Sequence, residues 1–427
     1  MTGGVPAGGG SDSSDLIVVG GGIQGACVAL EAARRGLRPI LVERGEFGAA
    51  TSANSLRILH GGFRYLQTAD LARMTVSIRE RRWFCRSFPD LVRPLPCLLP
   101  LYGRGVRRPA VLRAALALND LLSADRNRGV PEPVHLPPGA VLGPQRVADV
   151  FPGVRRDGLK GGALWYDALM TDPDRIVAGI LAWTRSLGGT TLDHVEAVGL
   201  RTDDGSVAGI HALDHRTGAT RAFAAPIVVN CAGPWAADVA AALGSPAPGL
   251  VTRALAFNLL LDREPVAEAA VAVEPAAGGR MLFVVPIGSR MLAGTFHAPW
   301  TGSSPVPVPT EAQVLEMLAD LNGAMPGLDL TRRDVAGIQA GFMPAARPGE
   351  GTPATRPVVL DHGRRGGMRG LFSVVGVKYT TARDVAERVL TRIYGRMPVR
   401  DGTGRPGAAA VAPTARDSLT DAPPSHP

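Results

Sequence analysis

The sequence predicts an α/β protein of two interleaved domains, one on a parallel sheet gathered from separated stretches of chain and one on an antiparallel sheet. Three observations predict it. Near the start, a β-branched run, a glycine-rich turn, an apolar helical pattern and a second β-branched run follow without a gap, which is a βαβ unit. Between Ala254 and Thr295 three strand-like runs come close together with no helix between them, the mark of an antiparallel sheet. After Gly370 the strand-then-helix pattern returns, so the first domain is discontinuous. At 427 residues the chain also exceeds the size at which one core usually stops growing.

Asp15 to Gly20 (DLIVVG) is a short β-branched run closed by glycine, the pattern of a buried parallel strand. Ile23 to Arg35 repeats small and apolar residues at helical spacing, Gly36 ends it, and Pro39 to Glu43 (PILVE) is the second strand. Asp70 to Phe88 and Arg108 to Ser123 read as amphipathic helices separated by proline-rich breaks, and Ile176 to Leu187 as a further helix. A strand around Thr191 to Leu200, a hairpin-like pair flanking Asp203 to Ser206 and a buried strand at Ile227 to Cys231 (IVVNC) follow. The antiparallel runs are Ala254 to Leu261, Leu282 to Pro286 and Met291 to Thr295; Leu371 to Val375 and Thr380 to Tyr394 supply the last strand and helix. Residues 1–14 and 398–427 lack apolar periodicity and are expected to be disordered. The first domain is then expected at 15–95, 140–250 and 336–397, and the second at 96–139 and 251–335.

Composition narrows the function. The net charge of +8 comes from arginines scattered along the chain, and the local cluster Arg79, Arg81, Arg82 and Arg86 reads as a solvated helix face. There is no dense basic stripe and no nucleic-acid-binding motif, so nucleic acid is not an expected partner. An anionic small substrate, an anionic cofactor and loose peripheral contact with an acidic membrane face survive. The four cysteines, Cys27, Cys85, Cys97 and Cys231, show no CxxC spacing, and no histidine cluster suggests a metal site. Reduced thiols and a cytoplasmic location are expected, since the start lacks the pattern of an export signal and no run reaches the roughly 18 apolar residues that span a bilayer.

The chemistry begins at VGGGIQGACVALEAARRG, where Gly20, Gly22 and Gly25 have the G-x-G-x-x-G spacing directly after a strand and at the start of a helix. Gly20 permits the tight turn, Gly22 lets the backbone approach a pyrophosphate, and Gly25 lets helix and strand pack closely while the helix N-terminus faces the anion. This makes the first domain Rossmann-type. Glu43 closes the second strand where a carboxylate accepts hydrogen bonds from a ribose diol, which disfavours a 2'-phosphate and leaves FAD or NAD. Three further stretches place glycines where backbone could lie against a flat ring: Ala50 to Leu66 (ATSANSLRILHGGFRYL), Val228 to Trp235 (VVNCAGPW) and Gly376 to Arg383 (GVKYTTAR).

With these residues in order, and with YDALMTDPDR at Tyr166 to Arg175 between them, the chain resembles the FAD-dependent glycerol-3-phosphate dehydrogenases of the D-amino-acid-oxidase-like superfamily, over roughly Asp15 to Tyr394. The resemblance implies FAD as cofactor and a Rossmann-type FAD-binding domain with an antiparallel-sheet substrate domain. It implies that Gly20, Gly22, Gly25, Glu43 and Arg44 hold the diphosphate and ribose, that Thr51, Ser52 and Ser55 line the diphosphate and ribityl region, and that Val195 meets the adenine by its backbone. Ala232, Gly233, Gly376, Lys378 and Thr380 would lie near the isoalloxazine, with His60, Gly61 and Gly62 on its other side. The family's C-terminal helical domain is not expected in this sequence, which turns low-complexity soon after Tyr394.

The match fails on the substrate side. The family's (S/T)G(V/I)RP appears as AGFMP, with Met343 where a phosphate-reading arginine is expected, and a thioether cannot replace a bidentate guanidinium. GTTD appears as GTFH, with Phe296 and His297, and an RGSH-like segment as RALA from Arg253. Arg64, Lys378, Arg253 and Arg347 remain as candidates to hold an anion. The catalytic candidates are His60 as a base beside the flavin, His297, Arg64 and Lys378, whose charge would stabilise the reduced ring. The expected reaction is oxidation of a hydroxyl-bearing carbon of a small metabolite by hydride transfer to flavin N5, with electrons leaving to a quinone, another acceptor or oxygen. An amine or amino-acid oxidase and a non-catalytic flavin-binding protein are the alternatives.

Overall fold

A computed structural model describes residues 14–399 except 104, 276, 277 and 279; the expected disorder of residues 1–13 and 400–427 lies outside the described residues. Ser14, placed by sequence in the disordered leader, is buried and donates its backbone N–H to the Ala224 carbonyl at 3.0 Å.

The first layer is a six-stranded sheet in the order Val358–Asp361, Leu371–Val375, Val228–Asn230, Leu16–Val19, Pro39–Val42, Thr190–Leu192. Every pairing is parallel except that of the edge strand Val358–Asp361. The central strands are buried on both faces, as expected of β-branched runs covered on each side. Helix Ile23–Arg34 is buried along its whole length and contributes with helices Pro173–Ser186 and Ala382–Tyr394 to one core. The other face carries a three-stranded antiparallel sheet of Val195–Asp203, Ser206–Asp214 and Thr220–Ala224, whose Val195, Ile210 and Phe223 share a core with Ile17, Ile40 and Val228.

The second layer is a nine-stranded sheet. Its main path runs Val335–Pro344, Arg253–Leu261, Arg290–Pro299, Leu282–Ile287, Ala270–Val273, Val92–Leu101, Gly161–Met170, Ile58–Leu59, with Ala140–Leu142 also on Gly161–Met170. Only Ala270–Val273 with Val92–Leu101 is parallel. One face packs on helix Glu311–Ala324 in a core containing Leu255, Phe257 and Phe296.

This pairing departs from the boundaries read from sequence. Ile58–Leu59, Ala140–Leu142 and Gly161–Met170 fall in stretches assigned to the first domain, and Val92–Leu101 and Val335–Pro344 straddle its boundaries, yet all five belong to the nine-stranded sheet. The reasons are local. Val92–Leu101 carries Pro94, Pro96 and Pro100, which read as breaks. All three share one parity, so they leave their missing N–H groups on the edge away from Gly161–Met170, and on that edge only Cys97 and Leu98 are paired. Gly161–Met170 overlaps the YDALMTDPDR motif, which carries no sign of the sheet it joins.

Candidate active site

The carboxyl ends of four parallel strands open on one cavity of about 540 Å³: Val19 and Gly20, Val42 and Glu43, Cys231 and Ala232, and Gly376 and Val377 all line it. Open α/β sheets bind ligands at this end of their strands, and the volume is that of a small-molecule site. The cavity runs from Val195 to Ala197, past the start of helix Ile23–Arg34, to Ala256, Asn258 and Gly341 to Pro344 of the nine-stranded sheet. The Ala50–Ser55 loop ties the two layers together. Thr51 Oγ1 donates to the Phe342 carbonyl at 3.1 Å, Asn258 Nδ2 donates to the Asn54 carbonyl at 3.1 Å, and Ser52 Oγ accepts the Ile23 N–H at 3.0 Å.

The glycine turn is as tight as its spacing predicts. Gly20 has φ +106°, and a Cβ there would stand 2.8 Å from the Cys231 carbonyl oxygen; a Cβ on Gly25 would collide with the Gly20 carbonyl. Gly22 is the N-cap of the helix and has no side chain of its own to cap it; Ser52 Oγ takes the Ile23 amide alone, so the positive end of the helix still faces an anion site. Glu43 accepts the backbone N–H of Gly21 at 2.7 Å and of Gly45 at 2.9 Å, which fixes its carboxylate at the cavity edge.

Of the cofactor residues read from sequence, Gly20, Gly22, Glu43, Arg44, Thr51, Ser52, Ser55, His60, Val195, Ala232, Gly233, Gly376, Lys378 and Thr380 line this one cavity. Gly25, Gly61 and Gly62 do not. Gly25 is needed for helix–strand contact, as its spacing implied. Gly61 and Gly62 are closely packed: a Cβ on Gly61 would strike the Arg81 guanidinium, while Gly62, at φ +83°, lies against Tyr65, Ser77 and Met74.

The catalytic candidates separate in the same way. His60 lines the cavity, and its Nδ1 lies 3.2 Å from Asp167 Oδ2. Lys378 lines it too and contacts the Tyr65 hydroxyl; burial and the nearby Arg64 charge bring its ammonium down to about 8. Arg64 is exposed and stands outside the lining, near enough to Lys378 and His297 for its charge to act on both. His297 also lies outside the lining, and burial, Arg280 and Arg64 lower it to about 4, which leaves the imidazole neutral and a weak base at neutral pH. Phe296, expected beside it in the pocket, points the other way and stacks on Phe257 with ring centroids 4.7 Å apart in the second core. Met343 does line the cavity. Arg253 is engaged by Asp238 and the Pro234 carbonyl, and Arg347 is exposed beside Glu350, so Arg64 and Lys378 remain for an anion.

Sequence reasoning missed several lining residues. Gln24, Arg57, Asn258 and Phe342 line the cavity, and Gln24 Oε1 and Arg57 Nε are buried without a hydrogen-bond partner. Gln24 is the second residue of the fingerprint helix, at a position the glycine spacing leaves unspecified. These unpaired polar atoms, the helix start with its glycine N-cap and the glycine cradle fit an extended polar dinucleotide along the cavity. The clustering of Asp167, Arg81 and Trp165 behind His60 was missed as well.

Fold and cavity together define a two-layer α/β protein built to hold a dinucleotide cofactor at the carboxyl edge of its parallel sheet. Residues 15–382 match the family model described as FAD dependent oxidoreductase (DAO), and the chain belongs to that family. It is an FAD-dependent oxidoreductase, and FAD is its cofactor. It is 30% identical over 397 residues to a glycerol-3-phosphate dehydrogenase of Synechocystis sp., covering 90% of this chain and 70% of that protein. It is 33% identical over 385 residues to glycerol-3-phosphate dehydrogenase 1 of Mycobacterium tuberculosis, covering 88% of this chain and 72% of that one. In fold it resembles the glycerol-3-phosphate dehydrogenase of Bacillus halodurans complexed with FAD, with a TM-score of 0.68, 24% identity, and coverage of 91% of this chain and 66% of that chain. The chain thus spans about two thirds of the length of that structure. Among the described residues no helix is long and apolar enough to cross a membrane.

Proposed function

We propose that the chain oxidises the hydroxyl-bearing carbon of a small anionic polyol, a glycerol 3-phosphate-like substrate, by hydride transfer to FAD. The observation that carries this reading is the placement of one base and one partly desolvated cation, His60 and Lys378, on the wall of a single cavity. The flavin supplies the acceptor for the hydride. His60 takes the hydroxyl proton, Lys378 and Arg64 draw the anionic end, and the two layers shield the reacting carbon from water. The relatives' glycerol-3-phosphate dehydrogenase names support the substrate class, whereas Met343 weakens phosphate reading at its own position.

Anaerobic mixing of the FAD-loaded protein with glycerol 3-phosphate, free polyols, 2-hydroxy acids and amino acids tests it. Bleaching of the flavin by glycerol 3-phosphate or a related hydroxylated anion supports the reading. Bleaching only by amino acids would replace it with amine oxidation, and bleaching by dithionite alone would replace it with a non-catalytic flavin protein.

The electrons leave to a quinone, another acceptor or oxygen. A quinone route has a place to meet the membrane. The outer face of helix Pro109–Leu122 exposes Val111 (45%), Leu118 (42%) and Leu121 (72%) beside exposed Arg108 and Arg113, a combination suited to peripheral contact with an acidic bilayer surface. Flotation with anionic vesicles that is lost in Leu121→Asp supports that contact; no flotation of the unaltered chain removes it.

A further inference from the structure

We propose that Asp167 is the positioning residue of His60, fixing the imidazole so that Nε2 is its proton acceptor toward the cavity, with Arg81 locking the carboxylate in place. The inference rests on the reading of His60 as the base and extends it to residues behind the cavity wall.

Asp167 lies on strand Gly161–Met170 and is 3% exposed. Its two oxygens divide four donors between them. Oδ1 accepts the Gly61 N–H at 2.6 Å and Arg81 Nη1 at 2.7 Å; Oδ2 accepts Trp165 Nε1–H at 3.3 Å and faces His60 Nδ1 at 3.2 Å. Arg81 is itself 4% exposed, and the same Nη1 donates to the Tyr166 carbonyl at 2.7 Å, so the guanidinium cannot swing away. Burial alone would raise the Asp167 carboxyl, but the His60 hydrogen bond, the Arg81 charge and the Gly61 N–H outweigh it and hold it at about 2.

An ionised carboxylate has no hydrogen to give, so the hydrogen between Asp167 and His60 belongs to Nδ1. That assignment leaves Nε2 as the ring's lone-pair nitrogen. The His60 side chain is 46% exposed and lines the cavity, and Phe283 meets its ring edge-on with centroids 6.3 Å apart, holding the ring plane. When the substrate's C–H hydride passes to the flavin with its two electrons, the O–H bond breaks, the proton forms an N–H bond at Nε2 and the carbon–oxygen bond becomes a carbonyl. The imidazolium so formed faces the Asp167 charge. Asp167 keeps no proton at any stage.

The Asn variant separates this role from simple packing. An amide at 167 must place its carbonyl oxygen at one of the two sites. At the Oδ1 site it keeps the obligate donors Gly61 and Arg81 and loses only Trp165; at the Oδ2 site it loses both of the former. The first arrangement is favoured and turns the NH₂ toward His60, so Nδ1 has to accept and the ring's hydrogen moves to Nε2. The base is then presented in its wrong tautomer, a change that costs about 10⁴ in kcat in Ser-His-Asp triads.

The test uses the full chain loaded with FAD and labelled with ¹⁵N-histidine, with His60→Gln assigning the His60 signals. Expected are a protonated Nδ1 and an unprotonated Nε2 in the unaltered protein, and the reverse in Asp167→Asn. With glycerol 3-phosphate, flavin reduction in Asp167→Asn should slow by about 10³–10⁴ with KM and FAD content retained. If that variant fails to fold because Arg81 is left without its counter-ion, Asp167→Asn/Arg81→Gln removes the buried charge and takes its place. A lower melting temperature with the original His60 tautomer retained would make Asp167 structural only and overturn the proposal. A protonated Nε2 in the unaltered protein overturns it without any variant. Should no substrate bleach the flavin, the reading of function fails while the tautomer still reports on Asp167.

Discussion

Substituting Gly25 by alanine tests the geometry on which cofactor binding depends. A Cβ at Gly25 would enter the contact radius of the Gly20 carbonyl oxygen and stand 3.3 Å from Cys231 Cβ. Gly20 cannot give way, because it is held at φ +106° against the Cys231 carbonyl. The start of helix Ile23–Arg34 must therefore retreat from strand Leu16–Val19 by roughly an ångström, since close-packed interiors absorb little. Alanine favours a helix over glycine by about 1 kcal/mol. Against that stand the first-turn amides, whose hydrogen bonds to a charged diphosphate are each worth about 1.5–3 kcal/mol. Losing two of them costs about 3–6 kcal/mol, or about 10²–10⁴ in Kd. Gly22→Ala is the control: its Cβ meets only Ser52 Oγ, at 3.2 Å, so the apoprotein should melt as the unaltered one does while the pyrophosphate is still kept away. Titration of FAD fluorescence into apoprotein gives both affinities, and thermal melting of the apoproteins separates them. A Gly25→Ala protein that binds FAD as tightly as the unaltered chain would refute the close approach.

Lys378 is charged below and neutral above about 8, so KM for glycerol 3-phosphate should rise as pH passes upward through that value. Lys378→Met should raise KM about tenfold or more at neutral pH and remove the step, in line with the ~1.5–3 kcal/mol of a charged hydrogen bond; a step that persists belongs to another group. Met343→Arg, introducing a guanidinium on the cavity wall, should lower KM for glycerol 3-phosphate by at least about tenfold, and steady-state kinetics showing no change would remove phosphate reading from that position. Glu80 is fully buried between Arg383, which donates at 3.0 and 2.7 Å, and Arg79 at 2.9 Å. Glu80→Gln removes one carboxylate of this network while Arg383 keeps Glu387 at 2.6 Å and Arg79 keeps Asp384, and it should cost about 1–3 kcal/mol in chemical denaturation; a loss under about 0.5 kcal/mol, typical of surface changes, would show the network to be exposed.

Much of the first layer was legible because its signals are local. The strand Leu16–Val19, the helix Ile23–Arg34 and the strand Pro39–Val42 stand within a residue or two of their sequence expectation, since each has its own period and its own glycine stop. Helix Leu71–Ser87 was equally plain, with Asp70 capping it by accepting the Arg73 N–H. What periodicity does not carry is partnership. GGALWYDALM and VRPLPCLLPL pair along their full length across about seventy residues of chain, and nothing in either segment names the other. Domain boundaries drawn at composition changes therefore cut across the nine-stranded sheet.

The site divides along the same line. Backbone-driven positions such as Gly20 and Gly25 were legible because only glycine satisfies the turn and the close helix–strand contact. Side-chain direction was not: Phe296 and His297 are adjacent in sequence, and strand alternation sends one into the core and leaves the other beside Arg64 and Arg280. The motif residues Gly61 and Asp167 carry the stronger lesson. Each stands in a separate motif, and they meet because Ile58–Leu59 pairs antiparallel with Gly161–Met170, placing Leu59 opposite Ala168. That register brings the carboxylate under the loop that follows, where one hydrogen bond holds the Gly61 backbone and the other oxygen faces the His60 ring. The absence of a side chain at Gly61 is then explained by Arg81, which fills the space and fixes the carboxylate. A change at Gly61 should consequently disturb His60 through Asp167 before it disturbs the flavin site directly: Gly61→Ala should alter the His60 ¹⁵N signals even in the absence of FAD, and unaltered signals in the apoprotein would break this link.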